Sequence, residues 1–244
     1  MSIWDYANPK RFVDTTTPAL PWLFGAAGAC LAVGLTWGFF LTPEAERFGS
    51  SVKIIYVHVP SAMLAINAWG MMLVASLVWL IRRHHVSALA ARAAAPVGLA
   101  MTVVALATGA VWGQPMWGTW WAWDPRLTSF LILGLFYLGY LALWEAIPDP
   151  DAAADLTSIL CLVGSVFAVL SRYAVNFWSQ GLHQGASLSL DRQENVADVF
   201  WVPLVVCIAG FTLLFFALVL LRTQTEVRAR RLRAMEMRAR RVEA

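Results

Sequence analysis

Two histidines, His58 in YVHVPS and His183 in SQGLHQGAS, are the residues of this chain best suited to hold a metal. Neutral imidazole is the common protein ligand for iron, zinc and copper. Between them in sequence runs WGQPMWGTWWAWDPRLT, residues 112–128, with five of the thirteen tryptophans: Trp112, Trp117, Trp120, Trp121 and Trp123. Asp124, Pro125 and Arg126 follow directly. Tryptophan settles where one end is apolar and the other wet, so an aromatic belt at a membrane surface is one reading of the run. A belt usually contributes one or two rings per helix end, and five in one connection suggest instead a surface for something flat and apolar. The residue types alone leave both readings open, as they do for Asp124, which a plain helix N-cap would explain.

Two imidazoles make a poor zinc site, because structural zinc takes four protein ligands and catalytic zinc three. Haem needs at most two, since the macrocycle supplies the rest of the iron's coordination. It also needs a flat apolar surface and partners for two propionates. Trp117, Trp120, Trp121 and Trp123 offer the surface, and Arg126 with outward-pointing helix N-termini could hold carboxylates. The constellation fits haem better than a bare metal. His84 and His85 follow Arg82 and Arg83 and read as a solvated basic cluster.

The elements that position these residues are membrane spans. The chain is 59% hydrophobic and only 14% charged, against about a quarter charged in an ordinary soluble protein. Six apolar runs, at about Leu20–Leu41, Ser61–Ile81, Ala93–Trp112, Leu127–Ile147, Leu156–Ala174 and Val199–Leu221, are each long enough to cross a bilayer. The expected fold is an all-α integral membrane protein, a bundle of six transmembrane helices. Residues 1–19 read as an interfacial lead-in, and no cleavable signal peptide is expected, because the first apolar run is too long and lies behind a polar segment. Cys30, Cys161 and Cys207 fall inside apolar runs and read as small buried hydrophobes.

Basic residues set the orientation. Lys10, Arg11, Arg82, Arg83, Arg92, Arg222 and the arginines beyond it fall on one side, and only Arg47, Lys53, Arg126, Arg172 and Arg192 on the other. The positive-inside rule makes the first side cytoplasmic, with both termini inside. Residues 42–57, 112–128 and 176–198 then form the outer connections, so both candidate ligands and the tryptophans share the outer face. Residues 1–221 read as one six-helix domain and 222–244 as a basic cytoplasmic tail, expected to lie along anionic lipid headgroups. Docking of a cytoplasmic partner is the other reading of the tail. Pro60 and Pro125 are expected at first helical positions, with His58 just before the second span and Asp124 capping the fourth.

WGTWWAWDPRLT closely resembles the tryptophan-rich "WWD" signature of haem-handling membrane proteins in cytochrome c biogenesis. With YVHVPSA and HQGAS on either side, the chain resembles the haem exporter protein C family (CcmC) of the system I maturation pathway over nearly its whole length. The resemblance implies haem b carried as transported substrate at the periplasmic face of a bacterial inner membrane, with His58 and His183 as axial ligands. It places the tryptophan motif beneath the haem edge. It also implies hand-over to a periplasmic haem chaperone (CcmE), with a small membrane subunit (CcmD) and an ABC-type transporter (CcmA and CcmB) as further partners. This is a binding and transfer role, not an enzyme's, and no nucleic acid enters it. A b-type cytochrome subunit and a small-molecule transporter are the alternatives. The first places histidines inside spans, and the second places ionisable groups at mid-membrane; neither pattern is evident.

Overall fold

The computed structural model describes residues 6–177 and 196–243. After a short helix α1 (Pro9–Thr16), the long helices are α2 (Leu20–Thr36), α3 (Ile55–Arg82), α4 (His85–Trp117), α5 (Pro125–Ala146), α6 (Pro150–Phe177) and α7 (Asp198–Glu243). Among the described residues six segments are long and apolar enough to cross a membrane, as the apolar runs predict. No strand forms among the described residues beyond a single bridge between Ala45 and Gly49. Internal prolines at Pro60, Pro96, Pro115 and Pro203 are tolerated in such helices, because neighbouring groups re-satisfy the freed carbonyls.

α3, α4, α5 and α6 form a ring in which each packs against the next and α6 returns to α3. Lipid gives no hydrophobic drive to helix association, so such contacts rest on close packing and small residues. α4 supplies them, burying Ala88, Ala91, Ala94, Ala95 and Gly98. Large aromatic side chains fill the space between. The Trp69 indole donates to Cys161 O and Ser165 Oγ, each at 3.2 Å, and the Tyr137 hydroxyl to Ala65 O at 2.7 Å. α7 packs outside the ring on α3 and α4, and α2 packs on α7. Among the described residues α6 and α7 do not pack along one another, which leaves a cleft between them with α3 as its floor.

Turn chemistry fixes the helix ends. α3 stops at Arg83, whose φ of 53° ends the helix with its N–H on Trp79 O at 2.8 Å. His84 then caps α4 through Nδ1, which accepts from Ser87 N at 3.1 Å. At α6, Asp149 accepts from the N–H groups of Asp151 and Ala152, both at 2.8 Å. The basic residues gather at this same end. Arg92 bridges Glu145 and Glu226, each at 3.1 Å, and lies 4.9 Å from the Trp144 ring centre. Arg230 pairs with Asp151 at 2.8 Å, and Arg83 with Asp155. The acids of the α5–α6 connection therefore sit among the arginines.

Two sequence expectations change. Pro60 is not the first helical residue, because a 3-10 turn over Ser50–Ile54 leads into α3 at Ile55. Proline so near a helix start loses only one backbone bond, here to Tyr56 O, and His58 becomes the fourth residue of the helix. α4 also continues past Trp112 to Trp117, so the outer connection shortens to Gly118–Asp124. At the other end of the chain residue 222 lies within a helix. α7 runs through it unbroken for 46 residues, about 69 Å at about 1.5 Å per residue. Packing continues past it to Gln224 and Val227, and Gln224 Nε2 donates to Thr16 Oγ1 at 2.8 Å.

Candidate functional site

At the end of the ring opposite the arginine cluster lies a cavity of about 580 Å³, within the roughly 300–1,000 Å³ typical of ligand sites. α3 lines it with His58, Ala62, Ile66 and Asn67, and α4 with Ala105, Gly109, Trp112 and Trp117. α5 adds Arg126 and Phe130, α6 Ser171 and Arg172, and α7 Phe200. Its wall is therefore mainly aliphatic and aromatic, with a histidine, two arginines and an amide at chosen points.

His58 is oriented by its neighbours. Its Nδ1 lies 3.0 Å from Thr108 Oγ1, and that hydroxyl lies 2.6 Å from Val104 O. A threonine hydroxyl has one proton. If it goes to the Val104 carbonyl, the oxygen can only accept from His58, so Nδ1 carries the imidazole proton. The lone pair then sits on Nε2, and an imidazole anchored at Nδ1–H is arranged as metal-ligating histidines usually are. Gly109 makes room for the ring, since a Cβ there would stand 3.2 Å from His58 Cε1.

The tryptophan run divides into two groups. Trp112 and Trp117 occupy the last turns of α4, meet edge to face at 5.4 Å and 86°, and line the cavity. Phe48 extends this wall at 6.2 Å from Trp112. Gly118, with φ 73°, ends the helix and turns the chain outward. Trp120 and Trp123 are then 60% and 75% exposed, and Trp121 pairs edge to face with Trp123 at 5.5 Å. These three stand off the cavity. Of the predicted tryptophan surface, Trp117 alone faces the cavity, and the other rings form an outer ledge beside it.

Asp124 is the N-cap of α5, as its sequence position predicts. It is buried, and Oδ1 accepts from Leu127 N at 2.6 Å, with Pro125 at the first helical position. Arg126 is half-buried on the cavity, and its Nε has no hydrogen-bond partner. It lies within electrostatic range of both Arg172 and Asp124. Two guanidiniums beside one cavity repel each other, and an anion received there would relieve the repulsion and satisfy the buried donor. His183 lies outside the described residues.

Sequence reasoning missed Arg172, Asn67, Phe48 and Phe200. Arg172 carried one usable signal, as a basic residue near the outer end of a span. Asn67 and Phe200 are residues of ordinary type within apolar runs, and Phe48 is a single aromatic in the polar connection 42–57.

The profile of one family, heme exporter protein C (CcmC), matches residues 2–238. The chain belongs to this family. It is 71% identical over 240 residues to heme exporter protein C of Rhodobacter capsulatus, covering 98% of this chain and 99% of that one. The corresponding protein of Paracoccus denitrificans is 68% identical over 235 residues, with 96% and 97% covered. That of Escherichia coli K12 is 40% identical over 216 residues, with 88% and 86% covered. Family membership and the six apolar helices together make this a multi-pass membrane protein.

Proposed function

We propose that this protein binds haem in the cavity between α3, α4, α5 and α6 and presents it for export in cytochrome c maturation. One observation carries the reading. The oriented His58 imidazole, the Trp112–Trp117–Phe48 wall and the paired Arg126 and Arg172 meet at a single cavity. An iron ligand, a flat apolar wall and cations for carboxylates are what a haem requires together. His58 supplies one axial ligand through Nε2, and His183 supplies the second. The exposed Trp120 and Trp123, with the half-buried Trp121 between them, form the surface beside the haem edge, where an acceptor meets it. The acceptor is the periplasmic chaperone CcmE, and CcmD with the CcmA–CcmB transporter completes the assembly.

In this reading the tryptophan-rich end faces the periplasm and the arginine-rich end the cytoplasm, with both termini, across a bacterial inner membrane. The chain holds and hands over haem b; the chemistry of the later covalent bond belongs to haem and acceptor. The test is the visible spectrum of the purified protein. His58→Ala and His183→Ala should each lower haem retention and shift the absorption bands, while His84→Ala should do neither. A double variant with wild-type haem content and spectrum would remove both histidines from the iron.

A further inference from the structure

The cavity does not end beneath His58. Its wall continues along α3 through Val59, Ala62, Met63 and Ile66 to Asn67, nine residues further on and about 13 Å deeper at about 1.5 Å per residue. Asn67 begins a different face of α3. It, Gly70, Val74 and Leu77 recur at helical spacing and are all exposed, and a Cβ at Gly70 would meet nothing within 4 Å. This stripe lies in the cleft between α6 and α7, which do not pack along one another among the described residues. Near the basic end the cleft is bridged by the Arg230–Asp151 pair. Towards the other end it is flanked by Ser171 and Arg172 of α6, by Phe200 of α7 and by Val196 and Ala197 just before that helix, all of which also line the cavity.

We propose that this cleft is a lateral entry through which haem dissolved in the bilayer slides into the site, with Asn67 as its inner polar contact. The occupant follows from the chemistry of the walls. An amphiphilic macrocycle resides in a leaflet with its carboxylates at the headgroups and its ring in hydrocarbon. Val59, Ala62, Met63 and Ile66 let the ring move without leaving an apolar environment, and Arg172 stands at the flank to receive a carboxylate. Asn67 makes no side-chain hydrogen bond to any described residue, and a polar group within a membrane usually faces a pathway or partner. Its amide can meet a polar edge or iron-bound water of the incoming haem.

The inference rests on the cavity being the haem site, and the experiment separates the two. The full-length protein in lipid nanodiscs is loaded either with haem predissolved in phospholipid vesicles or with haem delivered from a soluble haem–albumin complex. Loading is followed by Soret absorbance. Gly70→Trp blocks the cleft at an exposed position outside the cavity lining, where a Cβ meets nothing within 4 Å, and Asn67→Leu removes the amide. Gly70→Trp should load from vesicles about tenfold more slowly, while its final spectrum and its rate from albumin stay at wild type, and Asn67→Leu should load from vesicles more slowly than wild type by less. Wild-type loading of Gly70→Trp from vesicles overturns the lateral route. Equal slowing of Gly70→Trp from both donors also overturns it, because haem from albumin does not use an entry from the bilayer. Failure of the wild type to bind haem from either source instead removes the site itself, and the inference with it.

Discussion

Replacing Arg126 with leucine separates the charge of the cavity from its shape. Arg126 Nε is buried without a partner, and Arg172 stands within electrostatic range. A carboxylate received there forms a charge-assisted hydrogen bond of about 1.5–3 kcal/mol, or about 10–150-fold in Kd. Leucine keeps much of the aliphatic volume and removes a donor whose unsatisfied burial costs about 1–3 kcal/mol. The ligand-free variant should therefore unfold at a temperature no lower than wild type. The assay is equilibrium titration in nanodiscs with haem and with its dimethyl ester, whose carboxylates are capped. Wild type should favour the free acid by about 10–150-fold, and Arg126→Leu should lose most of that preference, keeping only the part that Arg172 supplies. Arg126→Lys should recover only part of the preference, because it keeps the charge and loses the planar fork. Equal affinity of the wild type for acid and ester would refute the assignment of the arginines to the propionates.

Asp124 tests the cap against the motif. Asparagine caps about as well as aspartate, whereas alanine loses about 1 kcal/mol, so only Asp124→Ala should show a clearly lower thermal midpoint. If the carboxylate also holds Arg126 in place, both variants load the chaperone poorly at equal membrane levels, and wild-type loading by Asp124→Asn would reduce it to a cap. His84 gives a pH dependence. Burial holds its pKa below the usual 6.5, and Nδ1 must stay unprotonated to accept from Ser87 N. The unfolded chain binds more protons between the two values, so this contribution is complete above pH 6.5 and is lost as pH falls through the folded pKa. Thermal unfolding between about pH 5 and 7 should slope less in His84→Asn than in wild type, and identical slopes would show that the cap does not titrate.

The sequence by itself determined the features that depend on local chemistry. Six apolar runs become six span-length helices because a buried backbone in lipid has to satisfy itself. Asp124 and Pro125 start α5 as their types require, and the basic residues collect at one end as their spacing around the runs implies. Tertiary structure decided which faces turn inward. In a membrane both the lipid-facing and the packed sides of a helix are apolar, so hydrophobic periodicity does not mark the buried face. The ring types do not mark Trp117, on the cavity, off from Trp120 and Trp123 on the ledge, and it is the left-handed turn at Gly118 that divides them. Arg172 and Asn67 enter the site only because α6 and α7 part over α3, and that separation is a property of helix packing, which no single stretch of the chain encodes.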